Sequence, residues 1–164
     1  MLFFGRAYYI AYNPNYQIEE TENLVGHHIY QPNYLPRGMY QDTVFHIRDM
    51  KRVNKKNSVR AAYVTSSNAD QESRGLEVVV INQVKIDPEF KLLDYINILE
   101  KEDKKTDLIV QPLNIDQLSD QPGYTIKHPI YSEVAVFTTD NILISVVSPT
   151  LPLSDLVLMA ASLQ

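Results

Sequence analysis

Cysteine is missing from the chain altogether, which removes disulfides, thiol nucleophiles and thiolate metal sites in one step. Tryptophan is missing too, and only five glycines occur, spread singly. No glycine-rich loop can therefore cradle a phosphate, and there is no Walker loop, no G-x-G-x-x-G and no G-x-S-x-G elbow. No apolar run approaches the ~20 residues that a membrane-crossing helix needs. Basic residues are outnumbered, with 15 Lys and Arg against 20 Asp and Glu, which argues against a general nucleic-acid binder. What remains is a 164-residue chain that is 45% hydrophobic. That is enough apolar material for one globular domain and too much for wholesale disorder.

Apolar periodicity sets out the elements. Residues 1–12 are apolar and aromatic, which suits a first strand, a packed arm, or the outer end of a membrane helix whose remainder lies upstream. The acidic stretch from Gln17 to Asn23 reads as a solvated linker or short helix. The chain thus divides into an N-terminal arm or linker, residues 1–30, and a single domain, residues 31–164. Alternation over 40–50 places Thr43, Phe45 and Ile47 on one face of a strand, and Val59, Ala61 and Tyr63 share a face of the next. In 75–86, Leu76, Val78, Val80, Val84 and Ile86 form the apolar face, opposite Glu77, Gln83 and Lys85. Asp87-Pro88-Glu89 has the chemistry of a helix start, with Phe90, Leu93, Ile96 and Leu99 as the buried stripe. Residues 108–113 read as an edge strand because of Pro112, and 124–128 as a short strand.

The organising element is the last third. Ser132–Phe137 and Ile142–Val147 are apolar on both faces, so this pair is central or covered on both sides. Thr138-Thr139-Asp140-Asn141 supplies a tight connection, since Asp and Asn tolerate left-handed backbone. A helix follows Pro152, with Leu153, Leu156, Val157, Ala160 and Leu163 at helical spacing. It suits a core helix under the sheet, or a face shared with a partner chain such as a second copy. The sum is an α+β domain: a mostly antiparallel sheet of about six or seven strands with two helices.

Candidate chemistry is sparse. His27-His28 with Glu19, Glu20 and Glu22 has metal-ligand residue types, but adjacent residues in an extended segment point apart, so no metal or cofactor is expected. No catalytic set is evident. The best-defined surface feature is the basic cluster Lys51, Arg52, Lys55, Lys56 and Arg60, which suits a solvated turn, an acidic protein partner or an anionic membrane surface. Aromatics are not interleaved with these charges, which disfavours nucleic acid. Eleven Tyr against five Phe favour recognition over catalysis, because Tyr suits partly wet interfaces.

Two segments carry a resemblance. Pro32-Asn33-Tyr34-Leu35-Pro36-Arg37-Gly38-Met39 resembles the P-x-Y-L-P-x-G opening of a bacterial family of unknown function. That family forms the extracytoplasmic C-terminal domain of anti-sigma-factor-like membrane proteins and lipoproteins. The stretch from Val134 to Ala160-Ala161-Ser162-Leu163 is similar to that family's last hairpin and its A-x-S-L final helix. Tyr34, Leu35, Pro36, Gly38, Leu156, Ala160 and Leu163 are the positions concerned, with Tyr34 and Leu35 expected to anchor the segment. The chain departs from the family in lacking Trp and in carrying the helix after Asp87 as an insertion. The resemblance implies a curved, lipoprotein-carrier-like sheet and a domain tethered to, or lying on, the outer side of a membrane. Together with the missing motifs, it points to a non-enzymatic sensor or protein-interaction domain. The alternatives are a carrier that holds a lipid or other apolar ligand between sheet and helices, a hydrolase built on His27 or His28, and a cytoplasmic location.

Overall fold

The computed structural model describes residues 14–36, 38–41, 45–65, 78–102, 107–115 and 122–164. In chain order the strands are β1 (Met39–Gln41), β2 (His46–Met50), β3 (Lys55–Thr65), β4 (Val78–Lys85), β5 (Ile109–Leu113), β6 (Gly123–His128), β7 (Tyr131–Phe137) and β8 (Ile142–Ser148). The helices are α1 (Pro14–Val25), α2 (Leu92–Glu102) and α3 (Leu153–Ala161), with a 3₁₀ turn at Lys51–Val53. All eight strands join one open, curved, antiparallel sheet in the order β1-β3-β4-β8-β7-β6-β5, with β2 also paired to β3. An α+β domain is thus what the apolar pattern folds into, with three helices rather than two among the described residues.

The closing hairpin lies in the interior of the sheet, β8 between β4 and β7. Its turn is closed by the Asn141 amide donating to the Thr138 carbonyl, with Asn141 at φ 63°. A side chain other than Asn, Asp or Gly pays a steric penalty there. Val134, Val136, Ile142, Ile144 and Val146 face one side, while Ala135, Phe137 and Leu143 face the other, and all are buried. The lack of alternation in these strands is therefore the mark of two covered faces. The edge position of β5 agrees with Pro112, which cannot donate to a ladder.

The first face of the sheet is sealed by α1, α3 and the segment between α1 and β1. Leu156, Met159 and Ala160 of α3 are fully buried against it, while Leu158 on the outer side is half exposed. The helix therefore buries one stripe as a core helix. The residues after α3 are tied down by backbone pairing, since Gln31 and Gln164 exchange amide bonds at 3.0 and 3.1 Å. Asn33 donates to the Ser162 carbonyl (3.0 Å), and the Tyr34 amide donates to Ser162 Oγ (2.9 Å). The segments containing Tyr34-Leu35-Pro36 and Ala160-Ala161-Ser162-Leu163 thus meet in space.

Several expectations need correction. Within the stretch read as an arm or linker, Ile29 is buried in the first core and Ile18 and Val25 pack against it. The strand over 40–50 is two strands, β1 and β2, laid in succession along the same edge of β3, with Ile47 40% exposed. Leu35 packs on the core, but Tyr34 is held by its backbone and leaves its ring 38% exposed. In β4 the more deeply buried face is Val79, Ile81 and Gln83, the last satisfied by the backbone of Tyr30 at 2.7 and 2.8 Å. A run of four β-branched residues carries no alternation to reveal this.

The helix after Asp87 also starts later and turns differently. Asp87–Phe90 closes a turn, and Asp94 accepts the Lys91 amide at 2.9 Å, so α2 begins at Leu92. Its buried stripe is Leu92, Tyr95, Ile96 and Leu99, leaving Leu93 53% exposed. The consequence is that Tyr95, and not Leu93, joins the buried stripe.

Candidate functional site

On the second face the cover supplied by the described residues is partial. Helix α2 packs over β7, and its side chains join Val84, Ile86, Ile126, Ala135, Phe137 and Leu143 in a second core. Next to it, towards β3 and β4, the facing residues become polar. Arg60, Asn82 and Ser145 are successive register partners on β3, β4 and β8, which puts them side by side on this face. The turn Asp49–Arg52, between β2 and β3, curls onto the same face.

These parts enclose a cleft of about 430 Å³ lined by Asp49, Met50, Lys51, Arg52, Ser58, Asn82, Tyr95, Ser145 and Val147. Its size falls in the small-molecule range. Charged and amide side chains share that lining with Met50, Val147 and the carbon surface of the longer side chains, so a ligand there would meet both hydrogen-bonding groups and apolar surface.

Beneath the lining lies a carboxyl group. Glu133 of β7 is 1% exposed. Its Oε1 accepts from Tyr95 Oη at 2.6 Å and from Ser145 Oγ at 2.7 Å, while Oε2 has no partner among the described residues. Burial pushes the Glu133 carboxyl above its ordinary value, against the opposing pull of the Tyr95 and Ser145 hydrogen bonds and the Arg52 charge. Tyr95 is likewise pushed up, first by burial and then by Glu133. Arg52 loses solvation, yet Tyr95, Glu133 and Glu102 more than compensate and hold its charge firmly. Its Nε donates to Glu102 (2.8 Å) and one Nη to Tyr95 Oη (3.4 Å).

A carboxyl with one unmatched oxygen in the middle of a sheet costs about 1–3 kcal/mol relative to an apolar residue. Folding does not require it. A buried, perturbed acid whose two hydroxyl partners both line a cleft marks a candidate functional site.

The basic cluster is divided by this arrangement. Lys51 and Arg52 line the cleft. Arg60 is half-buried within the sheet, Lys55 pairs with Asp87 at 2.7 Å, and Lys56 is exposed. His27 and His28 do not converge. His27 Nδ1 donates to the His28 carbonyl (2.8 Å), and His28 Nδ1 meets Glu22 at 2.7 Å. Glu22 also accepts the Ile29 amide (2.9 Å), so this group secures the chain after α1. Among the described residues no group of three or more metal-ligating side chains occurs.

Sequence reasoning missed Glu133, Tyr95, Ser145 and Asn82. One signal was available: period-2 alternation puts Glu133 on the same face as Ala135 and Phe137, an acid on an otherwise apolar strand face. No protein-family model, no curated protein and no solved structure matches this chain.

Proposed function

We propose that this chain is a non-enzymatic recognition domain, a sensor or interaction module, whose recognising surface is the part of the sheet's second face beside α2. The observation that carries this reading is the cleft over a buried acid, lined from β2, the 3₁₀ turn, β3, β4, β8 and α2 and set beside the second core. The apolar side supports it from the other direction. Leu156, Met159 and Ala160 are fully buried against the sheet, so an apolar ligand between helix and sheet would have to displace them. No helix among the described residues is long and apolar enough to cross a membrane. The extracytoplasmic, membrane-tethered placement implied by the resemblance belongs to the same proposal, and protease accessibility on intact cells tests it.

The recognition reading is tested by filling the cleft. Asn82→Phe places a ring among Ser58, Ser145 and Tyr95 without touching either core. A thermal-shift panel of small acids, amines and polyols should contain a member that stabilises the wild type and not this variant. A shift that survives Asn82→Phe, or no shift from any member, overturns it.

A further inference from the structure

The cleft's hydrogen-bonding inventory is unbalanced, and the imbalance specifies a ligand class. A guanidinium has five N–H donors. Among the described residues Glu102 and Tyr95 take two of Arg52's, which leaves three. Among the described residues neither the Lys51 ammonium nor the Asn82 amide has a partner, and both line the same space. The Tyr95 and Ser145 hydroxyl protons are committed downward to Glu133, so these two groups offer only lone pairs upward. Against the free donors stand Asp49, exposed to water that screens it, and Glu133, which lies below the lining and which burial holds towards its neutral form. Free donors with two cations among them call for an acceptor-rich, negatively charged group.

The volume narrows this further. A cleft of about 430 Å³ holds on the order of a dozen water-sized groups, which is room for a small molecule rather than a folded partner's surface.

We propose that the cleft binds a small organic acid, with its carboxylate held between Arg52 and Lys51 and its polar remainder against Asn82 and Ser58. Arg52 is the orienting member. The Glu102 and Tyr95 bonds hold the guanidinium plane, so its free edge is presented in advance to a planar carboxylate. Lys51 contributes a flexible point charge. Glu133 acts through Tyr95, as a positioning residue that fixes the hydroxyl against which Arg52 rests.

This inference rests on the recognition reading above, and the experiment separates the two. Isothermal titration of the full chain with succinate is compared with succinamide, which has the same shape without charge, and with putrescine, a diamine. Succinate should bind at a Kd of about 1 mM or tighter, weakening as salt is raised. Arg52→Gln should lose at least about tenfold. Lys51→Gln, at an exposed position that leaves both cores intact, should lose a few-fold, so a folding defect in the first variant does not decide the question. Binding of succinamide or putrescine in preference to succinate, abolished by Asn82→Phe, overturns the acid assignment and leaves the recognition reading standing. Absence of binding by all three at about 10 mM, or succinate binding unchanged in both charge variants, overturns it as well; the first of these also weighs against the recognition reading.

Discussion

The two faces of the sheet are made from the same strands yet solve different problems. The first is closed by α1, α3 and the segment between α1 and β1 and is mainly apolar, with Gln83 matched by the backbone of Tyr30. The second is closed only in part, by α2, and its side towards β3 and β4 carries Asn82, Ser145 and, one strand on, Glu133. On the first face Gln83 is matched on both its amide atoms, and His27 Nε2, in the segment that seals it, is buried without a partner among the described residues. On the second an acid is buried with one oxygen unmatched, under a cleft that keeps spare donors. That difference is the ground on which the recognition proposal stands.

Four measurements would break or sharpen that contrast. The largest effect belongs to the first face. Leu156→Ala, at a fully buried position, should lose about 2–5 kcal/mol in urea denaturation; a loss below 1 kcal/mol would mean that α3 does not seal this face.

Next comes Glu133→Gln. The folded state raises this carboxyl above its ordinary 4.5, so the folded state binds the proton more tightly than the unfolded state does. Relative stability is therefore greatest below the ordinary value and falls as pH rises through the folded one. The wild type should lose about 1–3 kcal/mol relative to the Gln variant over that rise, on the scale of a buried group left poorly paired. Parallel pH profiles for the two proteins would show that Glu133 is not held protonated.

A smaller effect is expected at the tie after α3. Ser162→Ala removes the acceptor of the Tyr34 amide and should cost about 1 kcal/mol, together with faster hydrogen exchange at Tyr34. Unchanged exchange there would show the tie to be dispensable. The smallest effect belongs to Lys55→Ser, which breaks a surface pair with the exposed Asp87. A loss above about 1 kcal/mol would mean that this bridge helps hold the β2–β3 turn against α2, and so shapes the cleft.

Much of this architecture can be read from local pattern. The closing hairpin, its turn at Thr138–Asn141 and the edge strand cut by Pro112 follow from alternation and proline chemistry, and helical spacing found Leu156 and Ala160 of α3 but not the fully buried Met159. Their outcome depends on neighbours in sequence. The register of α2 was not legible, because capping chemistry at Asp87 and at Asp94 competes and the choice rests on which side chains the sheet can accept. The deeper face of β4 was hidden by a run in which both faces are apolar. The site was least legible of all: Glu133, Ser145, Tyr95, Asn82 and Arg52 lie on five elements, and no spacing in the chain links them.

The sequence by itself determined that this is an α+β domain without thiol chemistry, nucleotide loops or a long apolar span. Those properties depend on residue types and on periods of two and 3.6, which are local. Only the tertiary structure decided which face of the sheet is sealed and which is left partly open. It also turned a glutamate inside a strand into a buried acid between two hydroxyls, and split one basic cluster into cleft-lining and surface parts. The physical reason is that solvation and pairing belong to the space around a side chain, and that space is assembled from strands and helices far apart in the chain.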